Sequence, residues 1–420
     1  MLFSPYTPGA GARPPVLSGR GEMLAAVGDL LTRTAHFGGP ASAPLVWTGV
    51  RGVGKTVTLL EARRLATERG FVTVHVTADR APGLGERLAR AIAEAVAEAE
   101  LVRGGRWERF AERLSTFNLQ VSVGGVVTVG TTGTQAPEPA GRGVDRDQLR
   151  RLIEDAADQA TDGGRPGVLL TLDETQEAPV QDLVALVNTL QDLAGGSRPV
   201  VCVAAGLPSL PEKLMAAGSF AERFDYRRMR ALTEDAALQA LLEPADALEV
   251  RWTRESADAV LRVSRGAPYL LQLYADATWR FAGPVAGEVI GTEAAAAGVL
   301  EAERSLWDGQ YRGRWNRASP AERALLVAIA VVADADAVAS SRDISAHLGR
   351  STPQLSPARA SLIDKGLIEA HGHGYLVFTV PGFERFVLAQ AHQEESVTDP
   401  RGHPRVGAAH RRELPDGPPD

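Results

Sequence analysis

Between Pro44 and Thr58 the chain reads PLVWTGVRGVGKTVT, and no other stretch limits its possible folds so tightly. The apolar run Leu45 to Trp47 predicts a short buried strand. It empties into Gly49-Val50-Arg51-Gly52-Val53-Gly54-Lys55-Thr56, a complete GxxxxGK(S/T) phosphate loop. Phosphate chemistry demands this spacing. Glycines 49, 52 and 54 let the backbone take φ > 0 and curl, so that successive N–H groups point inward at an anion. Lys55 can then reach β- and γ-phosphates, Thr56 can offer its hydroxyl to Mg²⁺, and the helix entered through Val57 aims its positive N-terminus at the same charge. The sequence after the loop, TVTLLEARRLATERG, has the apolar spacing of a helix. Of 45 basic residues only Lys55, Lys213 and Lys365 are lysines, so a chain that otherwise writes arginine places a compact ammonium at the phosphate position.

A chain of 420 residues has room for two or three domains, and 44% apolar with 23% charged residues is ordinary for a folded soluble protein. It contains no run of eighteen apolar residues and no basic-then-apolar leader, so a cytoplasmic protein without a membrane partner is expected. Cys202 lies in PVVCVAAG and reads as a small core residue. The net charge of −7 gives no global attraction to nucleic acid, so any DNA contact must come from a local patch.

Residues 1–16, rich in Pro and Gly, predict an extended arm, and a helix follows over about 22–35. FVTVHVT at 71–77 alternates as a strand does, helices are predicted near 83–101 and 106–115, and LQVSVGGVVTV at 119–129 predicts a hairpin turning at Gly124-Gly125. After a helix over about 145–160, the nearly unbroken apolar run 167–172 has the pattern of a strand covered on both faces, and it ends in Asp173-Glu174. A carboxylate pair at the mouth of such a strand beside a phosphate loop has a defined job: Asp173 holds Mg²⁺ through water and Glu174 polarises the attacking water. From 232 to 279 the chain predicts helices, the first capped by Thr233. Near the C-terminus Ser319-Pro320-Ala321-Glu322 is a capping box. Short helices at 341–348 and 353–365 and a Gly-rich hairpin at 366–380 complete the pattern of a winged helix, whose third helix would enter a major groove of double-stranded DNA. Its available polar residues include Arg350, Gln354 and Arg359, with Ser351, Thr352, Ser356 and Lys365. Residues 341–390 nevertheless hold five basic side chains against four acidic ones, and winged helices also dock proteins.

The order of these boxes over about residues 17–280 resembles the AAA+ ATPases of the origin-recognition-like branch, close to the STAND group. The stretches AGLPSLPEKLMAAGSFAERFDY, LTEDAALQALLEPA and GAPYLLQLYADATW resemble an uncharacterised bacterial ATP-binding family whose members end in a helix-turn-helix segment like SPARASLIDKGLIEAHGHGYLVFTVPGF. The resemblance implies an α/β P-loop NTPase (AAA+) parallel-sheet core over 17–230, a helical lid over 231–300, a winged helix over 301–390 and a disordered tail over 391–420. It implies ATP and Mg²⁺ as ligands. It also implies that Arg20, in the Gly-Arg turn ahead of the loop, folds over adenine, and that Arg265 and Pro268 of the Ser-Arg-Gly-Ala-Pro turn contact nucleotide. Arg223 falls where such ATPases carry an arginine finger, which would make the protein a homo-oligomer. The strand at 199–205 should lie between the two motif strands and present a polar sensor side chain at its tip. Here the tip is Ala204-Ala205-Gly206-Leu207-Pro208, a departure that leaves hydrolysis open. The expected activity is an ATP-dependent switch that controls a DNA-binding winged helix. The alternative is a STAND-like signalling scaffold that binds ATP, hydrolyses it weakly and uses the winged helix on proteins.

Overall fold

The computed structural model describes residues 1–9, 11–40, 43–81, 83–101, 110, 112–114, 121–123, 127–129, 146–334, 337–372 and 374–398. The helix expected near 106–115 and the loop after the hairpin fall largely outside these residues. The chain divides into two compact units. One comprises residues 20–49 and 54–230; the other comprises 1–19, 50–53 and 231–420.

The unit of residues 20–49 and 54–230 is built on a parallel sheet of β1 (Leu45–Thr48), β2 (Val72–Thr77), β5 (Val168–Asp173), β6 (Val200–Gly206) and β7 (Asp225–Arg228), in the order β2-β5-β6-β1-β7. Every residue of β1, β5 and β6 is buried, as unbroken apolar strands must be when helices cover both faces. The edge strand β7, Asp-Tyr-Arg-Arg, carries charge instead, which suits an unpaired edge. Helices Gly21–Phe37, Lys55–Glu68, Leu84–Glu98, Arg146–Asp162 and Val180–Ala194 bury their apolar stripes against it. The strand after the second motif, β6, pairs with both β1 and β5, so the two motif loops flank it at the carboxyl ends of the strands. Cys202 is buried on β6, and burial pushes its thiol up to about 12. The hairpin expected at 119–129 is present as the antiparallel pair β3 (Val121–Val123) and β4 (Val127–Val129).

In the other unit, Thr233 and Thr253 cap helices Glu234–Asp246 and Arg254–Ser264, each accepting a backbone N–H. Helix Pro268–Ala282 follows, and β8 (Arg251–Trp252) pairs with β9 (Val289–Ile290). The lid boundary expected at residue 300 falls inside helix Thr292–Leu306, which continues through a π-turn at Trp307–Tyr311 into Arg312–Asn316. Burial explains the continuity: Leu306, Tyr311 and Trp315 belong to one core that also contains Trp252 and Trp279 upstream and Phe383 and Phe386 downstream. Helices Pro320–Val332, Ser341–Leu348 and Thr352–Asp364 follow. They are accompanied by an antiparallel sheet of β10 (Val338–Ser340), β11 (Ile368–Ala370) and β12 (Tyr375–Phe378), in the order β10-β12-β11. The last helix, Phe383–Thr398, runs past the expected start of the tail at 391, because Phe383, Phe386 and Val387 anchor its first turns in the core. Residues 1–8 form neither helix nor strand, yet they are fastened. Tyr6 is buried, its hydroxyl donates to Leu241 O at 2.6 Å and accepts from the Trp252 indole at 3.0 Å, and the Trp279 indole donates to Leu2 O.

Candidate functional site

Two of the three loop glycines take the expected left-handed conformation, and Gly49, which ends the strand side of the loop, does not. Gly52 and Gly54 sit at φ +83° and +97°, which a side chain would strain. Helix Lys55–Glu68 starts directly after Gly54, whose carbonyl accepts both the Thr58 N–H at 3.0 Å and the Thr58 hydroxyl at 2.8 Å. Lys55 is buried, with its ammonium donating to Gly49 O at 2.9 Å, so the cation is held against the loop backbone. The Gly49 N–H in turn donates to Gly206 O at 3.1 Å, which ties the loop to the tip of β6. The same loop carries Val50, Arg51, Gly52 and Val53 into the second unit, where Gly52 O accepts from the Tyr269 N–H at 3.3 Å.

The two motifs meet. Thr56 Oγ1 donates to Asp173 Oδ2 at 2.6 Å, and Asp173, 2% exposed at the end of β5, accepts the Glu174 N–H on its other oxygen at 2.8 Å. A hydroxyl and a carboxylate at hydrogen-bond distance beside a lysine form the oxygen-rich donor set that Mg²⁺ prefers when phosphate and water complete its octahedron. Glu174 adopts φ +48°, an uncommon conformation for a non-glycine residue. Its Oε2 accepts from Gln176 Nε2 at 2.6 Å.

Residues 16–203 match the model of the AAA ATPase domain. Residues 308–387 match a second family model, described as a domain of unknown function (DUF8462). Among solved structures, the Walker-type ATPase PABY2304 of Pyrococcus abyssi shares 14% identity at a TM-score of 0.57, covering 89% of this chain and 97% of its own. The ORC2 protein of Aeropyrum pernix, solved as ADPNP-ADP complexes, shares 15% at a TM-score of 0.53, covering 93% and 98%. At these identities the likeness bears on the fold, and the fold is that of a P-loop AAA+ ATPase. No curated protein matches the sequence.

The other expected site residues are placed unevenly. Arg20 precedes helix Gly21–Phe37, and its buried guanidinium donates to Arg230 O at 3.1 Å, with Nε facing Gly54. Burial lowers its pKa. Arg223 ends the short turn Ser219–Arg223 and is exposed. Pro268 opens helix Pro268–Ala282. Arg265, expected at nucleotide, closes the preceding helix at φ +45°, and its side chain lies 3.6 Å from Glu384 instead. Gln354 is occupied as well, its Oε1 accepting the Ser351 N–H at 2.9 Å as a helix cap. Arg350 is exposed, Arg359 is half-buried with Nε lacking a hydrogen bond, and Lys365 pairs with Glu322 at 2.6 Å. Sequence reasoning missed Gln176, whose contacts depend on a turn that brings it to residue 207.

Proposed function

We propose that this chain is a Mg²⁺-dependent ATPase acting as a nucleotide-controlled switch on its C-terminal domain. The observation that carries the reading is the 2.6 Å contact between Thr56 and Asp173, beside a Lys55 held on the loop backbone. Lys55 and the loop N–H groups would bind the β- and γ-phosphates, and Thr56 and Asp173 would hold Mg²⁺. Bound there, Mg²⁺ supplies charge neutralisation on the transferring phosphoryl oxygens. Glu174 orients water, Arg20 lies near the adenine end, and Arg223 serves a neighbouring copy in a homo-oligomer. We read residues 320–378, three helices with a three-stranded antiparallel sheet, as a winged helix that contacts double-stranded DNA through Arg350 and Arg359. The second reading, a STAND-like scaffold that docks proteins, is favoured by Gln354 Oε1, which caps its own helix, and by Lys365, which pairs with Glu322.

Lys55→Ala removes the fixed countercharge and should weaken nucleotide binding by roughly 2–4 kcal/mol, about thirty- to a thousandfold. Glu174→Gln should bind Mg·ATP normally and hydrolyse it at least about a hundredfold more slowly. Titration with a fluorescent ATP analogue and steady-state phosphate release measure the two separately; wild-type affinity in the first variant would refute the site. Retention of a labelled duplex pool that is lost in Arg359→Ala would select the DNA reading over the scaffold.

A further inference from the structure

The tip of β6, Ala205-Gly206, has no side chain able to hydrogen-bond a phosphate or a water, yet the space beside it is filled. Gln176, on the short turn Thr175–Glu177 that follows the carboxylate pair, is 3% exposed. Its Oε1 accepts the Leu207 N–H at 2.9 Å, and its Nε2 donates to Glu174 Oε2 at 2.6 Å. Its own carbonyl accepts from Lys213 Nζ at 3.2 Å, so the main chain of the turn is held as well as the side chain. The approach to β6 leaves room for no Cβ: one built on Gly206 would stand 2.4 Å from Gln176 Oε1.

We infer that Gln176 is the positioning residue of the water-activating carboxylate, the amide through which Glu174 is fixed to the tip of β6. The inference rests on the ATPase reading and deepens it. With one oxygen of Glu174 engaged by the amide, the other is left to accept from water. The carboxylate is thereby kept from rotating about a backbone already committed to φ +48°. The amide suits this place because it accepts and donates at once. A hydroxyl at the same position would reach one partner, and a carboxylate would face Glu174 with like charge. The missing polar residue of β6 is therefore supplied from β5's own turn, and the gap at the tip is the space that Gln176 needs.

The test is a double-mutant cycle read in turnover and in ATP affinity. Gln176→Ala should lower kcat by about ten- to a hundredfold, the cost of a displaced catalytic group, and leave ATP affinity and KM within about twofold of wild type. Gln176→Glu keeps an acceptor for Leu207 and replaces only the donor, so it should fold and lose turnover at least as far. In the Glu174→Gln background, Gln176→Ala should cost nothing more, because its effect passes through the carboxylate. Full turnover in either single variant overturns the inference, as does a further loss in the Glu174→Gln background, which would mark a purely structural role. Wild-type turnover in Glu174→Gln sinks the parent reading instead, whatever the Gln176 variants do.

Discussion

A glycine closes β6 because another residue's side chain occupies the volume where its own would go. Gly206→Ala sets a methyl against Gln176 Oε1 at 2.4 Å and Leu210 Cδ2 at 2.8 Å, and with the strand fully buried the amide is the group free to yield. The expected result is a loss of about 1–3 kcal/mol in folding stability and a fall in kcat with ATP affinity kept, measured by urea unfolding and phosphate release. A variant with full turnover would show that Gln176 can shift without consequence. The contrast with Lys55 explains what was legible in the sequence. Phosphate chemistry imposes its spacing on consecutive residues, so Gly49 to Thr56 can be read directly, and Asp173-Glu174 can be read once that loop is known. Gln176 meets Leu207 across 31 positions and Arg265 meets Glu384 across a larger separation, so neither pairing leaves a local pattern. The other two lysines follow the same logic as the first: Lys213 and Lys365 each sit where a compact ammonium meets carbonyl or carboxylate oxygens.

Helix caps were legible for a related reason. Ser319 and Glu322 bond reciprocally, with the Ser319 N–H donating to Glu322 Oε2 at 2.6 Å and the Glu322 N–H donating to Ser319 Oγ at 3.4 Å. The capping glutamate also does something the motif does not announce, since it is 4% exposed and accepts from Lys365 Nζ at 2.6 and 2.8 Å. Burial alone would raise its carboxyl. The Lys365 and Ser361 side chains and the Ser319 N–H outweigh burial and hold it at about 2. A folded pKa below the unfolded value of about 4.3 means that the charged form stabilises the fold above that pH. The contribution drains away as pH falls from about 4.3 toward the folded value of about 2. Wild type should therefore exceed Glu322→Gln by roughly 3 kcal/mol at neutral pH, and the gap should close through that acid window. Urea midpoints of both proteins across the range measure it, and a gap independent of pH would mean that the ion pair is not its source.

At the scale of the molecule, the unit of residues 1–19, 50–53 and 231–420 is held together by one apolar core that runs across the expected boundaries. The resemblance implied a lid over 231–300 and a winged helix over 301–390, and the Pro- and Gly-rich composition of residues 1–16 implied an extended arm. Here the arm delivers Tyr6 to the core, one helical run crosses residue 300, and the same apolar cluster continues from Tyr6 to Val387. The ion pairs Arg265–Glu384 and Arg385–Glu303 join lid and last helix, but with their arginines 47% and 44% exposed they add little to what the core supplies. A shared core predicts that these segments unfold together. Tyr6→Ala leaves a cavity among Trp252, Trp279 and Leu241 and removes two buried hydrogen bonds, a loss of about 3–5 kcal/mol. If the C-terminal helices were an independent module, that loss would stop at the lid. With fluorine-labelled tryptophan, Trp252 reports the lid and Trp315 the base of the C-terminal helices, while Trp47 on β1 reports the parallel sheet. In wild type the Trp252 and Trp315 signals should vanish at one urea midpoint, and in Tyr6→Ala both should move to lower urea by the same amount. A Trp315 midpoint that stays put would return the C-terminal domain to independence. Joint movement would mean that the lid and the C-terminal helices fold as one cooperative unit around the shared core.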